Sequence, residues 1–180
     1  MIFFTADLHF GHANVIRHCS RPFESADEMD EALIKNWNAS VKSKDEIYIL
    51  GDFTMRPAAE AHNYLKQLNG RKYFIKGNHD KFLKKGFEPY MDYFEWVKDY
   101  YMLHAYGKCF ILFHYPILEW ANYYRGSIHL HGHVHNRNNT IELTKDLRSR
   151  AFNVGVDVNG YKPVSITEII EKANQTQICK

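Results

Sequence analysis

The sequence predicts a single α/β domain, and three observations carry that prediction. In the first half, short apolar runs alternate with stretches of helical pattern. Each of those runs stops at a polar cluster. The second half is richer in strand-like segments. With 180 residues, 45% of them hydrophobic and 24% charged, the chain can bury one ordinary core. No internal repeat, low-complexity tract or linker divides it, so the expected domain spans residues 1–180.

The elements follow in order. "MIFFTA" is a buried strand that ends at Asp7. "GHANVIRHC" supplies one or two helical turns. "SADE" at 25–28 is a capping box, with Ser25 as N-cap and Glu28 three residues on, opening a helix to about Asn38. "EIYIL" at 46–50 is the next buried strand, followed at once by Gly51 and Asp52. Pro57 suits the first turn of a helix that ends near Asn69 and Gly70. "KYFI" at 72–75 is a third strand, followed by Gly77-Asn78-His79-Asp80. "WVKDYYML" and "KCFILF" are expected to form a hairpin around Tyr106 and Gly107, the second strand delivering His114. "IHLH" delivers His133 and His135, "AFNVGVDV" is a further strand, and "SITE" at 165–168 caps a C-terminal helix.

Composition excludes several classes. A formal charge of +2 announces neither nucleic acid nor an anionic membrane as partner. The short apolar start has no basic region before it and reaches Asp7 too soon for a signal peptide or a membrane span. Cys19, Cys109 and Cys179 lack metal-site spacing and are expected as free thiols. A cytoplasmic protein with no membrane partner is the resulting expectation. Oligomeric state is not legible.

The polar clusters all fall where ligands sit in open α/β sheets, beyond the carboxyl ends of strands. Collected, they are Asp7 and His9, Asp52, Asn78 and His79, His114, and His133 and His135. Asp7, His9, Asp52 and His135 offer four donors to one metal ion, and Asp52, Asn78, His114 and His133 four to a second. One carboxylate can serve both, having two oxygens and several lone pairs. Imidazole, carboxylate and amide oxygen together suit Mn²⁺, Fe, Co, Ni or Zn²⁺, with Mn²⁺ favoured, and the lack of thiolate argues against a structural zinc centre.

This series, Asp7-x-His9, Gly51-Asp52, Gly77-Asn78-His79-Asp80, His114 and Gly132-His133-x-His135, resembles the calcineurin-like metallophosphoesterases across five motifs in the family's order. The resemblance implies a four-layer α/β/β/α sandwich of two mixed sheets, the metallophosphoesterase fold, holding two divalent ions. It implies hydrolysis of phosphate esters, with a metal-bridging hydroxide attacking phosphorus. It also implies that His79 and Asp80 are catalytic. His79 acts on the phosphate and its leaving group, and Asp80 orients it. Gly132 is expected to turn the backbone so that neighbouring imidazoles reach different ions. His129 and His131 are expected as strand residues.

Substrate contacts are less specified. His12, Asn14 and Arg17 sit on a short helix beside the first motif, and Arg21 on a rim loop; all four are candidate substrate-binding residues. Lys76, Lys81, Lys84 and Lys85 surround the third motif, where solvated lysines are the commoner case. Tyr115, Trp120, Tyr123 and Tyr124 follow His114, and packing along an amphipathic helix is expected over base stacking. A short chain leaves little length for a cap, which tilts the expectation toward phosphodiester or nucleotide substrates in an open groove. A phosphomonoesterase and a nuclease of the same family are alternatives, although a +2 chain shows no extended basic face for nucleic acid. A noncatalytic scaffold of the same fold is the alternative from another class.

Overall fold

The computed structural model describes residues 1–83, 92–136 and 150–178. Three apolar strands, β1 (Ile2–Thr5), β2 (Glu46–Leu50) and β3 (Arg71–Ile75), pair in parallel. Parallel sheets are covered on both faces, and the sequences of these strands are apolar on both. β4 (Phe94–Lys98) continues the sheet in parallel beyond β3, while β9 (Val164–Ser165) lies antiparallel on β1. The second sheet holds β5 (Tyr100–Ala105), β6 (Lys108–Phe113), β7 (Ile128–His131) and β8 (Ala151–Asn153), with β5 antiparallel to β6 and the other pairs parallel.

Strand alternation splits the core in two. After the short α1 (Ala13–His18), the helices α2 (Ala26–Ser40) and α3 (Ala58–Leu65) bring Leu33, Trp37 and Leu65 against Phe3, Ile47, Ile49 and Phe74. Phe4, Tyr48, Leu50 and Ile75 point the other way, against Leu103, Phe110, Leu112, Ile128 and Leu130 of the second sheet. The C-terminal helix α4 (Ile166–Ile178) adds Ile166, Ile169 and Ala173 to that inter-sheet core. Two mixed sheets face to face with helices outside are the expected sandwich. Among the described residues, the segment after β6 covers the outer face of the second sheet at His129, where the Trp120 ring lies tilted at 5.1 Å. No helix of the described residues is long and apolar enough to cross a membrane.

Both capping boxes form, one of them fully. Ser165 Oγ accepts from Glu168 N, and the Glu168 carboxylate accepts from Ser165 N. Ser25 Oγ accepts from Glu28 N, but the Glu28 carboxylate takes Glu24 N instead of the cap's own amide. Pro57 is the N-cap of α3 and not its first helical residue, and the helix stops at Leu65, four residues before Asn69.

Three expected elements change shape for identifiable reasons. "WVKDYYML" is two strands, because the chain crosses from one sheet to the other at Asp99; Trp96 and Tyr101 meet across the bend at 4.5 Å. "AFNVGVDV" is strand only to Asn153. Asn153 Oδ1 then accepts from Gly155 N, turning the chain so that Val156 N reaches Ala6 O in the first sheet. The helix expected after His114 is a single 3-10 turn, Tyr123–Arg125, flanked by left-handed Asn122 and Gly126. The β5–β6 hairpin turns at Tyr106 and Gly107, both at positive φ, as expected.

Candidate metal centre

Every candidate ligand lies just beyond a strand, at one end of the stacked sheets. β1 leads to Asp7 and His9, β2 to Asp52, and β3 to Asn78, His79 and Asp80. From the second sheet, β6 leads to His114 and β7 to His133 and His135. Backbone bonds lock these loops together: Asp7 N donates to Gly51 O, His9 N to Asp52 O and Gly132 N to His114 O. Asp7, His9, Asp52, His133 and His135 all take φ between 51° and 70°. Residues other than glycine rarely adopt this left-handed region. The loops thereby aim the side chains inward at a cost in backbone strain.

The expected ligands form two donor groups, and Cys19 and Asp157 make a third cluster with His135. Asp7, His9 and His135 each bring one ligand atom within 4.8 Å of the others, and so do Asp52, His114 and His133. Asp52 Oδ2 lies between the groups, 3.6 Å from His9 Nε2 and 3.5 Å from His114 Nε2. Asn78 Oδ1 completes the second group at 3.1 Å from His114 Nε2 and 3.0 Å from His133 Nδ1. The structure thus brings together all seven residues named from the sequence and puts Asp52 where both groups share it.

The chemistry of the set fits cations. His9 is 2% exposed, and neither ring nitrogen has a hydrogen-bond partner. Burial above all, with neighbouring cationic groups, holds its pKa well below the usual histidine value. His114 Nδ1 lies 2.8 Å from Leu50 O, and a carbonyl only accepts, so the proton is on Nδ1 and the Nε2 lone pair faces Asp52. Asp7 is fully buried, and that burial pushes its carboxyl up to about 7 in the absence of an ion. Neutral imidazole lone pairs turned toward carboxylate oxygens form a cradle for positive charge.

Gly132 works differently from expectation. Its φ is not left-handed; a Cβ there would lie 2.7 Å from Asp7 Oδ2 and 2.6 Å from Ala6 Cβ. It makes room for the Asp7 carboxylate, which accepts from His133 N at 2.9 and 3.0 Å. The turning is done by His133 and His135 themselves. His129 and His131 are buried strand residues, with His129 between the carbonyls of Ile111 and Tyr115.

His79 N donates to Asp52 Oδ1 at 2.9 Å, and its ring stands 5.5 Å from that of His9. A groove of about 440 Å³ opens here, lined by His9, His12, Asn14, Met55, His79 and His135 among others. His12 Nδ1 is buried without a partner beside it. Arg17 is exposed and outside the groove lining.

Two expectations are overturned. Asp80 does not orient His79. Its oxygens accept from the backbone amides of Asp52, Phe53 and Gly77, tying the second and third motif loops together. Burial first, then the Asp52 charge, raises its pKa to about 7 against those three bonds. Arg21 is not on the rim. It is 4% exposed, forked onto Asp157 at 2.8 and 2.9 Å, and donates to the carbonyls of Asp7 and Leu8. Asp157 was not among the candidates; it also meets His135 Nδ1 at 2.8 Å. The pairing of β8 with β7 and the bond from Val156 N to Ala6 O bring it there, and its sequence neighbourhood carries no sign of it. Cys19 is buried in the same corner, and Cys109 is half-buried; both are free thiols.

The remaining cations and aromatics divide. Lys76 pairs with Asp99 on the surface, Lys81 is exposed, and Lys84, Lys85 and Cys179 lie outside the described residues. The Tyr115 ring is 4.7 Å from His133 and 4.9 Å from His114, beside the second group. Trp120 is buried, Tyr123 packs edge-on against it, and Tyr124 is 83% exposed.

Comparisons with known proteins agree with this arrangement. Residues 1–137 match the family described as calcineurin-like phosphoesterase. The chain is 38% identical over 176 residues to the uncharacterized protein MJ1445 of Methanocaldococcus jannaschii, covering 95% of this chain and 92% of the relative. It is 29% identical to the Gene 66 protein of Mycobacterium phage L5, covering 95% and 93%. Among solved structures, a protein of unknown function, AQ665 from Aquifex aeolicus, superposes with a TM-score of 0.76 at 30% identity, covering 95% of this chain and 98% of that one.

Proposed function

Because the chain belongs to the calcineurin-like phosphoesterase family, we propose that it hydrolyses phosphate esters at a centre holding two divalent ions, Mn²⁺ first among them. The observation that carries the reading is Asp52 Oδ2, placed about equally from His9 and His114, with buried imidazole lone pairs on either side. Asp7, His9, Asp52 and His135 would hold one ion, and Asp52, Asn78, His114 and His133 the other. Ions bound there would supply a water-derived nucleophile near neutral pH and offset charge on the phosphoryl oxygens.

The chain's own groups do the rest. Asp52 Oδ1, by accepting from His79 N, fixes the backbone that presents the His79 imidazole to the groove. From there His79 gives a proton to the departing ester oxygen. His12 and Asn14 line the same groove and are placed to hydrogen-bond phosphate oxygens. We read this groove as taking diesters and nucleotides in preference to a compact monoester. A cytoplasmic setting accords with the free thiols of Cys19 and Cys109.

Hydrolysis of bis-p-nitrophenyl phosphate and p-nitrophenyl phosphate with added Mn²⁺ tests the reading. The diester should turn over faster. A faster monoester would favour a phosphatase, and no turnover of either with any divalent ion would leave a noncatalytic scaffold. A panel of nucleotides, cyclic nucleotides and short oligonucleotides then narrows the substrate and tests the nuclease alternative.

A further inference from the structure

Arg21, Asp157 and His135 form one buried chain of charge that reaches the first donor group from behind. The Arg21 and Asp157 side chains are 0% and 1% exposed. Arg21 donates from Nε and Nη2 to the two Asp157 oxygens, from Nη2 also to Asp7 O at 2.7 Å, and from Nη1 to Leu8 O at 3.0 Å. Asp157 Oδ2 in turn lies 2.8 Å from His135 Nδ1. A carboxylate paired with an arginine only accepts, so Nδ1 carries a proton toward Asp157 and Nε2 is the nitrogen left to serve the donor group of Asp7 and His9.

A buried ion pair is a weak source of stability, since desolvation offsets most of its attraction. This one touches two of the first group's donors by separate routes. Through Asp157 it fixes the tautomer and orientation of the His135 ring. Through the Asp7 carbonyl it helps hold the left-handed backbone that aims the Asp7 carboxylate. The second group has a brace of its own, the Leu50 carbonyl on His114 Nδ1, and neither Arg21 nor Asp157 contacts it. Partners of this kind, behind a ligating imidazole, typically set metal affinity by 10–100-fold.

We propose that Asp157, held by Arg21, is a positioning residue that sets the affinity of the first metal site selectively, leaving the second unchanged. The proposal rests on the two-ion reading above. It predicts a split between sites that a purely structural ion pair would not produce.

The test is stepwise Mn²⁺ titration of the metal-free full-length protein by calorimetry, with thermal unfolding recorded alongside. Wild type should bind in two steps. His133→Ala identifies the step that belongs to the second group. Asp157→Asn, close in shape, should weaken the other step by about 10–100-fold and leave the second-group step within about twofold. Asp157→Glu, which restores the charge, should recover part of the loss. If Asp157→Asn does not fold, Arg21→Lys is read the same way, because lysine keeps the charge but cannot span Asp157 and Asp7 O together. Unchanged affinities would overturn the proposal, as would both steps weakening in parallel with the melting temperature. Failure of both variants to fold would make the pair a structural brace and overturn it too. A wild-type protein that takes up no Mn²⁺, Co²⁺ or Zn²⁺ would instead sink the two-ion reading, and that result appears before any variant is made.

Discussion

His79 and Asp80 stand side by side in the sequence but do different work. His79→Ala should retain both ions, because Asn78 and not His79 reaches the second group. It should lose about 10²–10⁴ in kcat on esters with poor leaving groups, and less with nitrophenolate, which departs without a proton. Asp80→Asn should behave differently: it loosens three backbone amides, so the melting temperature should fall before any leaving-group dependence appears. The measurement is kcat against leaving-group pKa, beside thermal melts. A wild-type slope in His79→Ala would remove its proton-donating role. Lys72 makes a second prediction. It is 7% exposed, its one hydrogen bond among the described residues runs to Gly70 O, and burial pushes its pKa down from 10.5 to about 8. The folded state therefore releases its proton before the unfolded state does, and wild-type stability should rise with pH between about 8 and 10.5. Lys72→Met should add on the order of 2 kcal/mol at pH 7 and abolish that rise; a lower melting temperature at pH 7 would contradict it. The ligands were legible because each is a polar residue stopping an apolar run. Arg21 and Asp80 were misread because an arginine or aspartate buried against backbone groups looks, in sequence, like one facing solvent.

At the scale of elements, the segment from Tyr115 to Ser127 divides its aromatics sharply. Trp120 is buried over His129, and its Nε1 donates to Ser127 Oγ at 3.0 Å, whereas Tyr124 is 83% exposed. Trp120→Ala should cost about 3 kcal/mol or more, and Tyr124→Ala within about 0.5 kcal/mol. Urea unfolding of both variants checks this. Equal losses would mean that Tyr124 packs against something beyond the described residues. The sequence predicts both as packing residues of one amphipathic helix. Pro116 and the left-handed Asn122 and Gly126 break that helix, and only Pro116 and Gly126 announce themselves in the sequence. The change of sheet at Asp99 was equally hidden, because β4 and β5 both carry aromatic side chains and nothing local says which neighbour each will pair with.

At the scale of the molecule, the two cores owe nothing to the metal centre. One lies between the first sheet and α2 and α3, the other between the sheets, and both are built mainly from buried apolar side chains. Chelated protein should therefore be inactive yet unfold cooperatively, unlike a zinc finger. Added Mn²⁺ should raise the melting temperature, since ions bind the native state preferentially. A non-cooperative melt in chelator would show the ions to be part of the fold. The α/β class and the presence of the first three strands followed from alternation and periodicity. Contacts between residues far apart in the chain did not: Arg21 and Asp157 are 136 residues apart, and only the folded chain sets one against the other.

Five ligand positions hold the left-handed backbone that glycine would adopt freely. Each costs roughly 1–2 kcal/mol in a residue with a Cβ, so the centre is maintained against the chain's own thermodynamic preference. Heat and hydrolysis then become opposing selection pressures on the same few codons. A population of variants evolved for heat resistance alone, with no demand on phosphate-ester cleavage, should drift toward glycine at these positions early, His133 foremost, because its exposed ring leaves no cavity behind. Sequencing that population would show it, and an absence of glycine there would mean that the rest of the fold has already absorbed the strain.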